Sequence, residues 1–341
     1  MDKRKESEFP QNGHVVKRPR VEDVTLVSEE DTLSRTSDLI APNLQMLGHS
    51  SEVLVSRFDT SGSKFASGGM DRQILLWNVF GEVSNFGILS GAKGAITDLQ
   101  WSRDGEVLYN ACSDTNLYSW NTNSGQKIRK YKGHAGVVNA LDVLRVGSEL
   151  LASVSDDSTL KVWDSRSRDC IQSIGEKFPL TAVAISQQGT TVYTGGIEGV
   201  IKAWDLRTNE VLYTLTEHND IITSLSLSKD GSTLLSNSMD STVRTFDVKP
   251  FAPSNRHISV YSGAVHGLEH NLLGAAWSGD TRLIAAGSSD RNTYVWSSSS
   301  GELKYQLPGH EGCVNHVDFH PTQNIILSCS SDKTMFLGEL S

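Results

Sequence analysis

Four histidines, His49, His134, His218 and His310, are each followed by an aspartate of the same repeat: Asp71, Asp157, Asp240 and Asp332. An imidazole beside a carboxylate is the base-and-orienter half of a nucleophilic relay, so these pairs are the first candidates for chemistry. Asp114 and Asp290 hold the same place, the first preceded by Ala92 and the second by a displaced His266. In each unit an acidic residue stands six positions before a fixed position, occupied by Trp77, Trp120, Trp163, Trp204, Phe246, Trp296 and Gly338. The pattern recurs unit after unit with no nucleophile aligned to it, which favours a structural role over a catalytic one. The chain has no G-x-x-x-x-G-K-[ST], H-E-x-x-H or G-x-S-x-G motif, and pairs such as Gly195-Gly196 read as turns rather than phosphate cradles. No cofactor or metal is expected. Cys112, Cys170, Cys313 and Cys329 contain no C-x-x-C knuckle and suggest no disulfide framework, as in a reduced cytosolic or nuclear protein.

The elements that position these residues repeat about every 42 residues. Each unit runs from a Gly-His-like start through an apolar strand, a turn often containing Asp-Gly, a second strand, the acidic residue, and a third strand ending in Trp-Asp or a relative. Seven such units in register resemble the WD40 family over residues 41–341. The resemblance implies an all-β, seven-bladed WD40 β-propeller with four-stranded blades around a central channel. It also implies that His, Asp and Trp hydrogen-bond across each blade with a strand Ser or Thr. His49/Asp71/Trp77 and His134/Asp157/Trp163 should form the most complete networks. Ala92, Glu176, Phe246 and Gly338 break the pattern, and their blades should be held mainly by strand packing. The last repeat supplies only three strands. Asn43-Leu44-Gln45-Met46-Leu47 alternates ahead of Gly48-His49 and should supply the fourth, closing the ring against a strand near residues 333–339. Trp101 and Trp277 read as core between blades.

The chain has 341 residues, 38% hydrophobic and 21% charged, with a formal net charge of −9. An acidic balance argues against gripping nucleic acid directly, so any RNA contact should be indirect or minor. No apolar run reaches the length of a membrane helix, no apolar secretory core follows the charged start, and neither membrane nor small-molecule substrate is expected. Residues 1–40 have few large apolar residues and read as a disordered tail. Residues 1–20 carry six Lys/Arg against three Asp/Glu, and residues 21–40 carry one against six. Lys3-Arg4-Lys5 and Lys17-Arg18-Pro19-Arg20, 11 residues apart, have the spacing of a bipartite nuclear-import signal; a solvated charge run reads the same.

Three sets of residues are candidates for contact with other proteins. Met70, Ile197 and Met239 precede the acidic residue of their repeats and could form an apolar partner face or be partly covered by loops. An insertion from Lys249 to about Leu268, with Pro250, Phe251, Pro253 and Arg256, is either a binding loop or a spacer. Arg166 and Arg207 complete two Trp-Asp-x-Arg strings in successive repeats.

Beyond the repeat, several strings resemble the WD-repeat subunits of the U5 small nuclear ribonucleoprotein: residues 234–244, Asp247-Val248-Lys249-Pro250-Phe251-Ala252-Pro253, Leu307-Pro308-Gly309-His310 and the terminal Gly338-Glu339. That resemblance implies a nuclear, non-catalytic protein–protein scaffold of the spliceosome, held near the large central U5 scaffold protein. Trp-Asp-x-Arg is also frequent in substrate receptors of cullin-type ubiquitin ligases. This is the alternative reading, with Arg166 and Arg207 as the adaptor contact.

Overall fold

Short apolar runs punctuated by Gly, Asp and Ser favour brief strands joined by tight turns. The computed structural model describes residues 24–26, 35, 37–81, 83–147 and 149–341, and among these are strands of three to six residues. They form seven antiparallel sheets. Blades 1 to 6 each take four consecutive strands, spanning residues 53–90, 96–132, 138–175, 180–215, 222–262 and 275–307. Blade 3 is representative, with strands Val138–Val143, Leu150–Ser155, Thr159–Asp164 and Cys170–Gly175. The first strand of each blade packs against the first strands of both neighbours, which closes a ring around a channel. Second strands are buried on both faces, because a blade is covered by the next blade on either side. Fourth strands face outward and alternate in exposure, as in Cys170–Gly175.

Blade 7 is built from both ends of the chain. Val314–Phe319, Ile325–Ser330 and Met335–Glu339 are its first three strands, and Asn43–Met46 is the fourth. Leu44 pairs with Leu337 and Met46 with Met335, all four side chains buried, as the sequence predicts. Two features go beyond that expectation. A fifth strand, Val24–Leu26, pairs antiparallel with Asn43–Met46. Arg35 and Ser37 also reach Glu339, through an ion pair of 2.8 Å and a backbone N–H bond of 2.9 Å. Ordered contacts thus begin inside the stretch read as tail. Lys3, Arg4, Lys5, Lys17, Arg18 and Arg20 lie outside the described residues.

Antiparallel succession divides the connections between two rims. Turns joining strands one to two and three to four lie on the lower rim. Turns joining strands two to three, and the crossovers between blades, lie on the upper rim. The insertion read as one segment is therefore two loops. Residues 248–256 join the third and fourth strands of blade 5 on the lower rim; His257–Ser262 intervenes as a strand; residues 263–274 cross to blade 6 on the upper rim.

Side chains stitch the seams between blades. Five first strands carry Thr or Asn at one equivalent position, and each donates to a carbonyl of the following blade: Thr97 to Val138 (2.6 Å), Asn139 to Leu180 (2.8 Å), Thr181 to Ile222, Thr223 to Leu273 (2.9 Å) and Asn315 to Val53 (2.8 Å). Asp98, Asp142 and Asp318 accept backbone N–H groups of Leu141, Ile185 and Phe58 across the same seams at 2.8–3.0 Å. Burial pushes all three carboxyl groups above their ordinary range. Trp101 and Trp277 serve the seams as expected, their indole N–H groups donating to Arg57 O (3.0 Å) and Ser226 O (3.3 Å) of the preceding blades.

Candidate functional site

The cross-blade network is built on a turn. The residue after each repeat acid adopts a left-handed backbone: Arg72, Thr115, Ser158, Gly199, Ser241, Arg291 and Lys333, with φ of 60–73°. Only one of the seven is glycine, although the conformation costs other residues about 1 kcal/mol. The aspartate holds the turn by accepting the N–H two residues on, as Asp157 Oδ1 does from Thr159 at 3.0 Å. Its other oxygen is left for the histidine. In blade 4 the acid is Glu198, no such bond forms, and Gly199 takes the conformation without strain.

Four blades carry the histidine. In blade 3, His134 Nδ1 lies 3.0 Å from Asp157, Nε2 lies 2.8 Å from Ser153 Oγ, and the Trp163 indole N–H donates to the same Oγ at 2.9 Å. Blade 1 repeats this with His49, Asp71, Ser67 and Trp77. The Thr159 hydroxyl adds to the aspartate's donors, and Asp157 is held down to about 2, its donors outweighing its own burial. Burial lowers the proton affinity of His134 more than Asp157 raises it.

Blades 5 and 7 lack the indole, yet they keep the network. His218 and His310 still bridge Asp240 to Ser236 and Asp332 to Ser328. Phe336 packs edge-on against His310 at 4.7 Å between ring centroids. Strand packing alone is thus not what holds these blades. The sequence also expects no nucleophile beside the pairs, and this too is corrected, because Asp–His–Ser stand in triad order four times. These hydroxyls cannot act as nucleophiles from where they sit. Ser67, Ser153, Ser236 and Ser328 are buried inside second strands, out of reach of any substrate.

Blades without the histidine substitute for it. Tyr118 and Tyr294, four residues after the aspartate, donate to Asp114 and Asp290 at 2.5 Å. The Trp120 indole donates to Asn110 Oδ1 (2.8 Å), and that of Trp296 to the Ser262 carbonyl (3.1 Å). His266 takes no part with Asp290; it is driven down to about 4 by burial beside Asn237. In blade 4, Lys202 joins Glu176 (2.9 Å) to Glu198 (3.2 Å), while the Trp204 indole meets Thr194 Oγ1 (2.9 Å). The signal the sequence offers is a Tyr four after the acid, found only where the histidine is missing; Lys is not diagnostic, because Lys161 holds that position in blade 3.

The candidate contact residues fall on both rims. Met70, Ile197 and Met239 occupy equivalent upper-rim turns, the first two exposed and the third half-buried. Blades 4 and 5 are neighbours, so Ile197 and Met239 adjoin, but Met70 stands three blades away across the channel. On the lower rim, Phe251 is 100% exposed between Pro250 and Pro253. Arg256 anchors that loop from beneath, donating to the carbonyls of Asp247 and Lys249 at 3.0 Å with its guanidinium 3.9 Å from the Tyr213 ring centroid. Arg166 and Arg207, also on the lower rim, fold back on Asp164 and Asp205 of their own Trp-Asp pairs.

Comparison with known proteins agrees with this geometry. The family of the WD domain, G-beta repeat matches seven times, at residues 42–78, 84–121, 125–164, 168–205, 209–247, 253–297 and 301–337. The chain is 70% identical to the pre-mRNA-splicing factor cwf17 of Schizosaccharomyces pombe over all of both chains. It is 46% identical to the U5 small nuclear ribonucleoprotein 40 kDa protein of Dictyostelium discoideum, over 90% of this chain and 86% of that one. Among solved structures, the β-propeller domain of Cps50 (Swd1) from Myceliophteria thermophila superposes with a TM-score of 0.76 at 21% identity, covering 86% of this chain and 98% of that one. This last likeness bears on the fold alone.

Proposed function

The chain belongs to the WD domain, G-beta repeat family, in the group that holds the splicing factor cwf17 and the U5 40 kDa proteins, and from that premise we propose that it is a protein–protein scaffold of pre-mRNA splicing. Full-length identity with a named splicing factor carries this reading. Its partners are spliceosomal proteins, the large central U5 scaffold protein first among them, and it works in the nucleus. The basic clusters of residues 3–5 and 17–20 are its import signal. It is not an enzyme: the serine hydroxyls of its four Asp–His–Ser constellations are buried and spent on holding blades together. Ile197 with Met239 on one rim, and Phe251 on the other, are its apolar contact points.

The ligase-receptor alternative is not favoured. The relatives carry splicing names, and Arg166 and Arg207 are engaged with their own aspartates. Purifying the tagged protein from cells in mild salt tests both readings. Recovery of U5 RNA with the central splicing scaffold is expected. Recovery of a cullin adaptor without any small nuclear RNA would overturn the proposal.

A further inference from the structure

The lower mouth of the channel carries charge that the cross-blade networks do not use. In each blade, the second residue of the turn between the first two strands faces this mouth. That position is Arg103, Arg145, Gln187 and Lys229 in blades 2 to 5, and Thr60, Gly279 and Pro321 in the other three. Cations therefore stand at this position in blades 2, 3 and 5, with the neutral Gln187 between them in blade 4, and are missing from it in blades 6, 7 and 1. Arg103, Arg145 and Lys229 are exposed and form no ion pair among the described residues. Together with Arg57 they line a cavity of about 340 Å³.

The carboxylates nearest to them are withdrawn. Asp318 and Asp142, the carboxylates on which the Arg145 charge acts, are half-buried and accept backbone N–H groups, from Phe58 and Phe319 and from Ile185 and Val143 respectively. Asp59 is buried and accepts from Lys64 N–H and the Ser61 hydroxyl. Asp104 and Asp230 bend back onto Ser102 and Ser228 within their own turns. A molecule with a net charge of −9 thus presents three unpaired cations around one concave opening. Concave walls of low dielectric focus such a field on whatever enters.

The geometry points to a docking site for a short acidic segment of a partner protein, its carboxylates on Arg103, Arg145 and Lys229 and an apolar side chain against Trp277. This rests on the scaffold reading above and names the chemistry of one partner contact. The cavity has the volume of a few side chains. Its aromatic wall favours a peptide over a nucleic acid strand: a run of bases needs successive open ring faces, whereas Phe58, Trp101 and Phe319 are buried and only Trp277 is partly open.

Fluorescence anisotropy of the full-length protein with a fluorescein-labelled peptide of repeated Glu-Glu-Phe tests the site, beside the same peptide with Gln for Glu and an oligouridylate of equal charge. The acidic peptide should bind, lose affinity as salt rises from about 0.05 to about 0.5 M, and bind about tenfold or more weakly to the variant Arg103→Gln/Arg145→Gln/Lys229→Gln. All three positions are exposed, so the variant should keep the wild-type melting temperature, and Thr60→Gln on the uncharged arc should bind like wild type. Equal binding by the triple variant, equal binding of the Gln peptide, or tighter binding of the oligouridylate would overturn the inference. No binding of the acidic peptide, in a preparation whose tagged counterpart recovers splicing proteins, removes the inference and leaves the scaffold reading standing. Failure to recover splicing proteins removes the reading itself.

Discussion

Blades 3 and 4 are neighbours with the same strand order and the same turn geometry, and they secure that turn by different chemistry. Blade 3 uses a dry network of neutral imidazole, carboxylate, hydroxyl and indole, with the His134 side chain fully buried. Blade 4 uses a wetter ion cluster, in which Lys202 is 21% and Glu198 42% exposed, and it spends a glycine where blade 3 tolerates Ser158. What the fold demands is that the crossover be tied to the turn and that the left-handed residue be held. The residues that do so are interchangeable in kind, though not in their response to acid and salt.

Removing Asp157 should separate the two blades most. Asp157→Ala orphans a buried histidine and releases the Ser158 turn, so it should cost about 2–4 kcal/mol in urea denaturation. Lys202→Met should cost less, about 1–3 kcal/mol, by stranding the mostly buried Glu176 carboxylate. A smaller loss for Asp157→Ala than for Lys202→Met would reverse the proposed ranking of dry over wet.

Of the two blades, only blade 3 offers acid an imidazole to protonate. His134 binds a proton less readily folded than unfolded, so the unfolded chain takes up more protons below the ordinary imidazole value of 6.5, and stability falls as pH drops through it. Asp157 adds a second loss at lower pH: its contribution is complete above 3.8 and disappears as pH falls through about 2. His134→Gln should therefore flatten the dependence between pH 6.5 and 5 by up to about 1.4 kcal/mol per pH unit. An unchanged slope in denaturation midpoints would mean the imidazole is already charged in the fold. The smallest effect belongs to Glu198→Ala, under about 1 kcal/mol and erased by about 0.5 M salt, because Lys202 keeps Glu176.

The spacing of acid and tryptophan makes the seven blades legible before any coordinates, and the alternation of residues 43–47 makes the closing strand legible too. The first is a period repeated often enough to outvote local noise; the second is read against the fourth strand that the last repeat lacks. The substitutes are harder to read. Tyr118, Tyr294 and Lys202 are ordinary strand residues until it is known that position four after the acid points toward the missing histidine. The seam donors Thr97, Asn139, Thr181, Thr223 and Asn315 act between blades, and a contact between units leaves no period within one. The single insertion became two loops on opposite rims because the strand His257–Ser262 turns its apolar residues Ile258 and Val260 to solvent, so its alternation does not mark a buried face. The candidate contact face suffered likewise: only the order of the ring separates Met70 from Ile197 and Met239.

Leu44 and Leu337 are register partners made by the ribosome at opposite ends of its task. While the chain is being synthesised, blades 1 to 6 can assemble in turn, each sheet being local in sequence. The strand Asn43–Met46 has to wait, its buried Leu44 and Met46 uncovered, until Met335–Glu339 emerges. The entropic cost of that late closure grows only with the logarithm of the intervening length. The wait itself is long, and a nascent chain with one apolar edge open is a natural client for chaperones and a natural target for proteolysis. Once shut, neither closing strand can fray without the other, so the finished ring should resist local opening far better than an open stack of the same blades.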